Sequence, residues 1–149
     1  MIGFLIAMIS GALMSIQGVF NTDVTKSTSI WVAAGFVQLT ALATCVIMWL
    51  LNGHPEVTGL LQVERKYALL GGVLGAFITF TVVKAMSSLG TAKASLTIVI
   101  TQIAVAYLIE LFGLFGSKKS EFSFMKLFGI AIAITGVAVY TLCGGRSEE

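Results

Sequence analysis

Apolar residues fill five blocks of this chain, and polar residues gather in the gaps between them. The blocks cover about residues 2–20, 30–51, 67–87, 92–115 and 124–142. A helix needs about 20 mainly apolar residues to cross the hydrocarbon of a bilayer, and every block is near that length. The strands of a membrane barrel would alternate apolar and polar positions over about ten residues. These blocks are twice as long and apolar on all sides. The pattern predicts an all-α membrane protein with five transmembrane helices in a single domain, residues 1–149.

The gaps support these limits. Residues 21–29 are polar and hold Asp23 and Lys26. Residues 52–66 form the longest connector, with Asn52-Gly53-His54-Pro55 reading as a turn ahead of Glu64-Arg65-Lys66. Residues 88–91 are few, and Gly90 is placed to end a helix in the left-handed conformation. Residues 116–123 carry Lys118, Lys119 and Glu121. Short connectors force neighbouring helices to run antiparallel. The tail after residue 143 is polar and too short to fold, so function is expected to reside in the helices.

Composition agrees with this picture. Charged residues make up 11% of the chain, against about 25% in soluble domains. No Lys or Arg precedes the first block and no small-x-small site closes it, so it reads as a retained helix and not a cleaved signal. Cys45 and Cys143 stand in different apolar blocks without a nearby Cys or His, and read as small packing residues. His54 has no partner at metal-ligand spacing. No metal site, cofactor, basic run for nucleic acid, or nucleophile–base pair is seen, so the chain is not expected to be an enzyme.

Five spans put the termini on opposite faces. One face holds Arg65, Lys66, Lys118, Lys119 and Lys126; the other holds Lys26, Lys84, Lys93 and Arg146. The positive-inside rule needs an excess on one face, and here there is almost none. Either other signals orient the chain, or it inserts both ways up. Dual topology would let two copies pair as an inverted homodimer of ten helices, the repeat architecture on which many transporters are built.

Few polar residues lie inside the spans. Glu110 is the one acid there, about one and a half turns from its helix end. Desolvation disfavours an ionised carboxylate, which makes Glu110 the candidate for proton coupling; hydration near the headgroups is the competing reading. Gln102 and Gln38 lie near the middle of the fourth and second helices, where an amide must serve either a solute path or a neighbouring helix. Gln102, Ala106 and Glu110 fall within an arc of about 80°. In the first helix Ser10, Met14, Gln17 and Asn21 follow one stripe, which suits a path or a tight helix contact, with surface capping the alternative for Asn21. Trp31 reads as an interfacial anchor or a substrate platform, and Lys84 as a snorkelling cation. An inverted copy could bring Lys84 towards Glu110. Gly71 and Gly75 form a GxxxG pair, and Gly129 and Gly136 give the fifth helix a small-residue face; both suit helix packing or a dimer contact.

Several stretches together resemble the YdcZ family of small bacterial inner-membrane proteins, within the drug/metabolite transporter superfamily. They are Ser10-Gly11-Ala12 and Ser15-Ile16-Gln17-Gly18-Val19-Phe20-Asn21 in the first helix, and Gly71-Gly72-Val73-Leu74-Gly75-Ala76-Phe77 in the third. Thr101-Gln102, then Glu110-Leu111-Phe112-Gly113-Leu114-Phe115-Gly116, and Gly129 with Gly136 complete them. The resemblance covers nearly the whole chain. It implies a five-helix half-transporter in which four helices line the path and the fifth supports packing or dimerisation. Four-helix relatives place a coupling glutamate in the first helix; this chain has Gln17 and Asn21 there, so that mechanism does not carry over.

The expectation is a transporter in the bacterial inner membrane that exports a small metabolite or drug-like solute by alternating access, with proton coupling open. The path residues would be Gln17, Asn21, Gln38, Gln102 and Glu110. The partners would be the solute, the bilayer and a second, inverted copy. A non-transporting membrane scaffold is the alternative, in which the glycine faces are only packing surfaces.

Overall fold

The computed structural model describes residues 2–53 and 55–143. His54 and residues 144–149, Arg146 among them, lie outside the described residues. All regular structure among the described residues is helical, and five helices are long and apolar enough to cross a membrane. The chain divides into two compact units, one up to Ser88 and one from Leu89.

The first unit holds α1 (Ile2–Ser27), α2 (Ile30–Leu51), two 3₁₀ segments (Val57–Gln62 and Lys66–Leu70) and α3 (Gly71–Leu89). α1 runs well past residue 20, where its apolar block was expected to end. The polar residues that follow suit a helix. Thr22 and Thr25 donate their hydroxyl protons to the carbonyls of Gly18 and Asn21, each at 2.8 Å, and Lys26 pairs with Asp23 at 3.1 Å. No Gly or Pro interrupts them. The turn into α2 is only Thr28 and Ser29, with the Ser29 hydroxyl accepting from the Val32 amide as the N-cap, the arrangement that favours Ser at this position. At the far end of α2 the Asn52 side chain donates to the Met48 carbonyl, and Trp49 Nε1 donates to the Pro55 carbonyl at 2.9 Å, folding the connector back on its helix.

α1 and α2 pack directly on one another. α3 reaches them through long side chains and not by close backbone approach. Met86 of α3 lies against Gly18 of α1, where an added Cβ would stand 2.5 Å from its Cε. Trp31 of α2 stacks on Phe80, with ring centroids 4.7 Å apart, and meets Phe77 edge-on at 6.3 Å.

The second unit holds α4 (Thr91–Phe112), a 3₁₀ turn (Leu114–Gly116) and α5 (Phe124–Cys143), with α4 and α5 in contact. α4 stops at Phe112, three residues short of expectation, because Gly113 adopts the left-handed conformation, φ 64° and ψ 34°. Ser117 Oγ then donates to the Ile109 carbonyl, and the Ser120 amide to the Glu110 carbonyl at 2.9 Å, satisfying groups the ended helix leaves open. Gly90, expected to end a helix, does follow the last residue of α3, and Gly113 is a second glycine ending that was not expected. Gly90 has a positive φ of 79°, which favours glycine, but its ψ of 157° takes it out of the left-handed helical region as it leads into α4.

Little of each span is covered. In the most apolar window of any helix no more than 11% of residues are buried. The buried apolar residues are Ala33, Ala34, Val83, Met86, Ala94 and Tyr107, while Leu, Ile, Phe and Val side chains point outward along every helix. In water a face of this extent would associate at once. In hydrocarbon it costs nothing, provided the backbone and side-chain polar groups are satisfied internally. The threonine hydroxyls along the spans are: Thr81, Thr97, Thr101 and Thr135 donate to carbonyls on the preceding turn. Cys45 and Cys143, expected as packing residues, are exposed.

Candidate functional site

An open groove of about 770 Å³ runs between α1 and α2. Its α1 wall carries Gln17 and Asn21 on successive turns, flanked by Leu13 and Phe20; its α2 wall carries Phe36, Thr40 and Thr44. Asn21 is 6% exposed. It is neither a cap nor a surface residue, since α1 continues for six residues beyond it. Among the described residues its side-chain amide has no hydrogen-bond partner, yet it is not sealed off from the groove. The residue is buried but its amide atoms are open to the groove, so they can bond to whatever occupies it. Thr40 donates to the Val37 carbonyl at 3.0 Å and Thr44 to the Thr40 carbonyl at 2.9 Å, so both hydroxyls face the groove with lone pairs only. Asp23 stands at one end, well exposed and paired with Lys26.

The groove gathers two of the five candidate path residues. Gln38 is not in its wall: the amide turns to α3 and fills the space over Gly75, where an added Cβ would lie 3.0 Å from Nε2. The midplane amide of α2 thus lies beside α3 and outside the α1–α2 groove. Gln102 is exposed on α4.

Glu110 lies in a second, smaller crevice between α4 and α5, lined also by Ala106, Tyr107, Lys126 and Gly129. Lys126 of α5 donates to Glu110 Oε2 at 3.5 Å and to Ser120 Oγ at 3.4 Å, and its ammonium lies 5.8 Å from the centre of the Tyr107 ring. Both charged side chains are half exposed. Glu110 thus has a partner within its own chain, on the adjoining helix, where the sequence suggested Lys84 of another copy. The crevice is closed at one end by Tyr107, whose hydroxyl accepts from the Ser123 amide at 3.2 Å and donates to the Ser123 carbonyl at 3.4 Å.

The packing glycines divide as well. Gly75 accommodates the Gln38 amide, and the space beside Gly71, Gly129 and Gly136 is open. The closest approach is at Gly18, which the sequence did not single out, although its place between Gln17 and Asn21 on the polar stripe was a usable signal. Thr40, Thr44 and the Lys126 pairing were also missed. Among the described residues no cluster of His, Cys, Asp and Glu could hold a metal ion.

Over residues 2–139 the chain matches the family described as "Putative inner membrane exporter, YdcZ". No curated protein matches it, and no solved structure does.

Proposed function

Since the chain belongs to the family described as "Putative inner membrane exporter, YdcZ" and is a multi-pass inner-membrane protein, we propose that it is one half of a transporter that moves a small solute through the α1–α2 groove. The observation that carries this reading is that Gln17 and Asn21 stand on successive turns of α1 and open their amides into a mostly apolar groove. A helix that only packed against lipid would have no use for such a pair.

The transporting unit in this reading is two copies of opposite orientation, rocking about a central site. The balance of basic residues across the faces supports it, as does the open space beside Gly71, Gly129 and Gly136, which a second chain would fill. Gln102, exposed on α4, is a further candidate for contact with the solute. Glu110 is the coupling candidate. Uptake of a proton would dissolve its pair with Lys126 and so loosen α4 from α5.

Solute exchange across proteoliposomes is the deciding measurement. Flux that depends on the protein and falls strongly in Gln17→Leu and Asn21→Leu supports the reading. Well-folded protein that moves none of a broad metabolite mixture would leave the scaffold role in its place.

A further inference from the structure

Taking the α1–α2 groove as the solute path, we propose that its ligand is an uncharged, amphipathic molecule: an apolar ring or chain bearing an amide-type edge that offers both N–H and C=O. The inference follows from what the walls present. Gln17 and Asn21 are four residues apart on one helix, so their side chains leave neighbouring turns about 5–6 Å apart. Each amide has two N–H donors and one carbonyl acceptor. Opposite them, Thr40 and Thr44 have given their protons to their own helix and can only accept. A ligand edge that alternates donor and acceptor satisfies both walls.

The rest of the wall is aliphatic and aromatic, with Leu13, Phe20, Phe36 and Val37 along it. A groove of about 770 Å³ is in the usual size range of small-molecule sites. Charge is what it lacks. No Lys, Arg or His is among the described residues of the wall, so a carboxylate or phosphate would enter without a counter-ion. Asp23 is the one acid, and its carboxylate is 3.1 Å from Lys26 Nζ at the exposed end. A cation moving inward from there would leave its one attractive partner behind. Burying an unpaired charge is far more costly than burying a hydrogen-bonded amide.

The test uses three probes with one apolar body: 2-naphthylacetamide, 2-naphthylacetate and 2-naphthylethylamine. Binding to the full chain in nanodiscs is read from naphthalene fluorescence anisotropy, with empty nanodiscs subtracted. The amide is expected to bind at least tenfold more tightly than either ion, and Gln17→Leu or Asn21→Leu to weaken it about threefold to tenfold, the loss of one hydrogen bond. Gln17→Glu sets a carboxylate in the wall and should turn the preference to the amine, a gain that a misfolded protein cannot show. Tighter binding of acetate or amine by the unaltered chain, no binding of the amide, or a preference untouched by both Gln17→Leu and Gln17→Glu overturns the proposal. Solute flux in proteoliposomes is scored separately. Neutral-selective binding without flux removes the transport reading and leaves the ligand class standing; flux with anion-selective binding overturns the ligand class alone.

Discussion

Filling the space at Gly18 should destabilise the first unit, and removing Met86 should restore it. An added Cβ at Gly18 would stand 2.5 Å from Met86 Cε and 2.7 Å from Sδ. Carbon atoms in contact prefer about 3.5 Å or more, so the thioether must retreat by roughly 1 Å. Met86 is 6% exposed, and its room to move is small. For Gly18→Ala the clash is with the tip of a flexible side chain, and alanine regains up to about 1 kcal/mol of helix propensity; the net change should be near zero. Gly18→Val carries two further methyl groups towards Met86 and Val82, and overpacking of this kind costs about 1–3 kcal/mol. Met86→Ala alone leaves a void and costs about 2–5 kcal/mol, at the low end if α1 settles into it. In the double variant the valine occupies that void. The two changes should therefore couple by about 1 kcal/mol or more in the stabilising direction. Equilibrium unfolding in mixed micelles, followed by circular dichroism and tryptophan fluorescence, measures all four corners of the cycle. Strict additivity would refute the contact between α1 and α3 as described.

Glu110→Gln should abolish solute accumulation driven by a proton gradient while sparing exchange at equal pH; unaltered gradient-driven uptake in liposomes would move the coupling group elsewhere. The same substitution, or Lys126→Met, should change stability by no more than about 1 kcal/mol, because the pair is half exposed; a larger loss in a thermal melt would show a buried role. Reporters at the C-terminus that are active on one side of the membrane should give comparable signals from both orientations, and extra lysines on one face should bias them; a single orientation counts against the inverted homodimer. Gly75→Leu should displace the Gln38 amide and lower thermal stability, whereas Gly71→Leu should alter only self-association, read by cross-linking; the reverse pattern would contradict the packing described for α3.

Helix number and type were legible because hydrocarbon imposes a length, and five apolar blocks meet it. The ends were less so. Hydropathy ends α1 at Phe20, but the helix does not stop where apolarity stops; it runs on through polar residues that bond back to it, to Ser27, just before Ser29 caps the start of the next helix. The end of α4 likewise moved, back to Gly113, whose backbone conformation no hydropathy profile contains. At the site, periodicity alone put Gln17 and Asn21 on one stripe, and the groove has both. Gln38 and Gln102 carry the same chemical signal, but only the second helix in each contact decides what an amide meets, and one sequence does not state its neighbours. Glu110 shows the limit most clearly. Its partner Lys126 is sixteen residues away on another helix, and the sequence used that lysine only as one of the basic residues of a membrane face.

The turn between α1 and α2 has a consequence for how the chain is made. With only Thr28 and Ser29 joining them, the two helices leave the ribosome as a hairpin and must enter the bilayer together. Whichever way that hairpin settles, its tip crosses once or not at all. The tip carries a single lysine, Lys26, beside Asp23. Orientation follows an excess of Lys and Arg on one face, and one such residue is a weak signal for the first hairpin by itself.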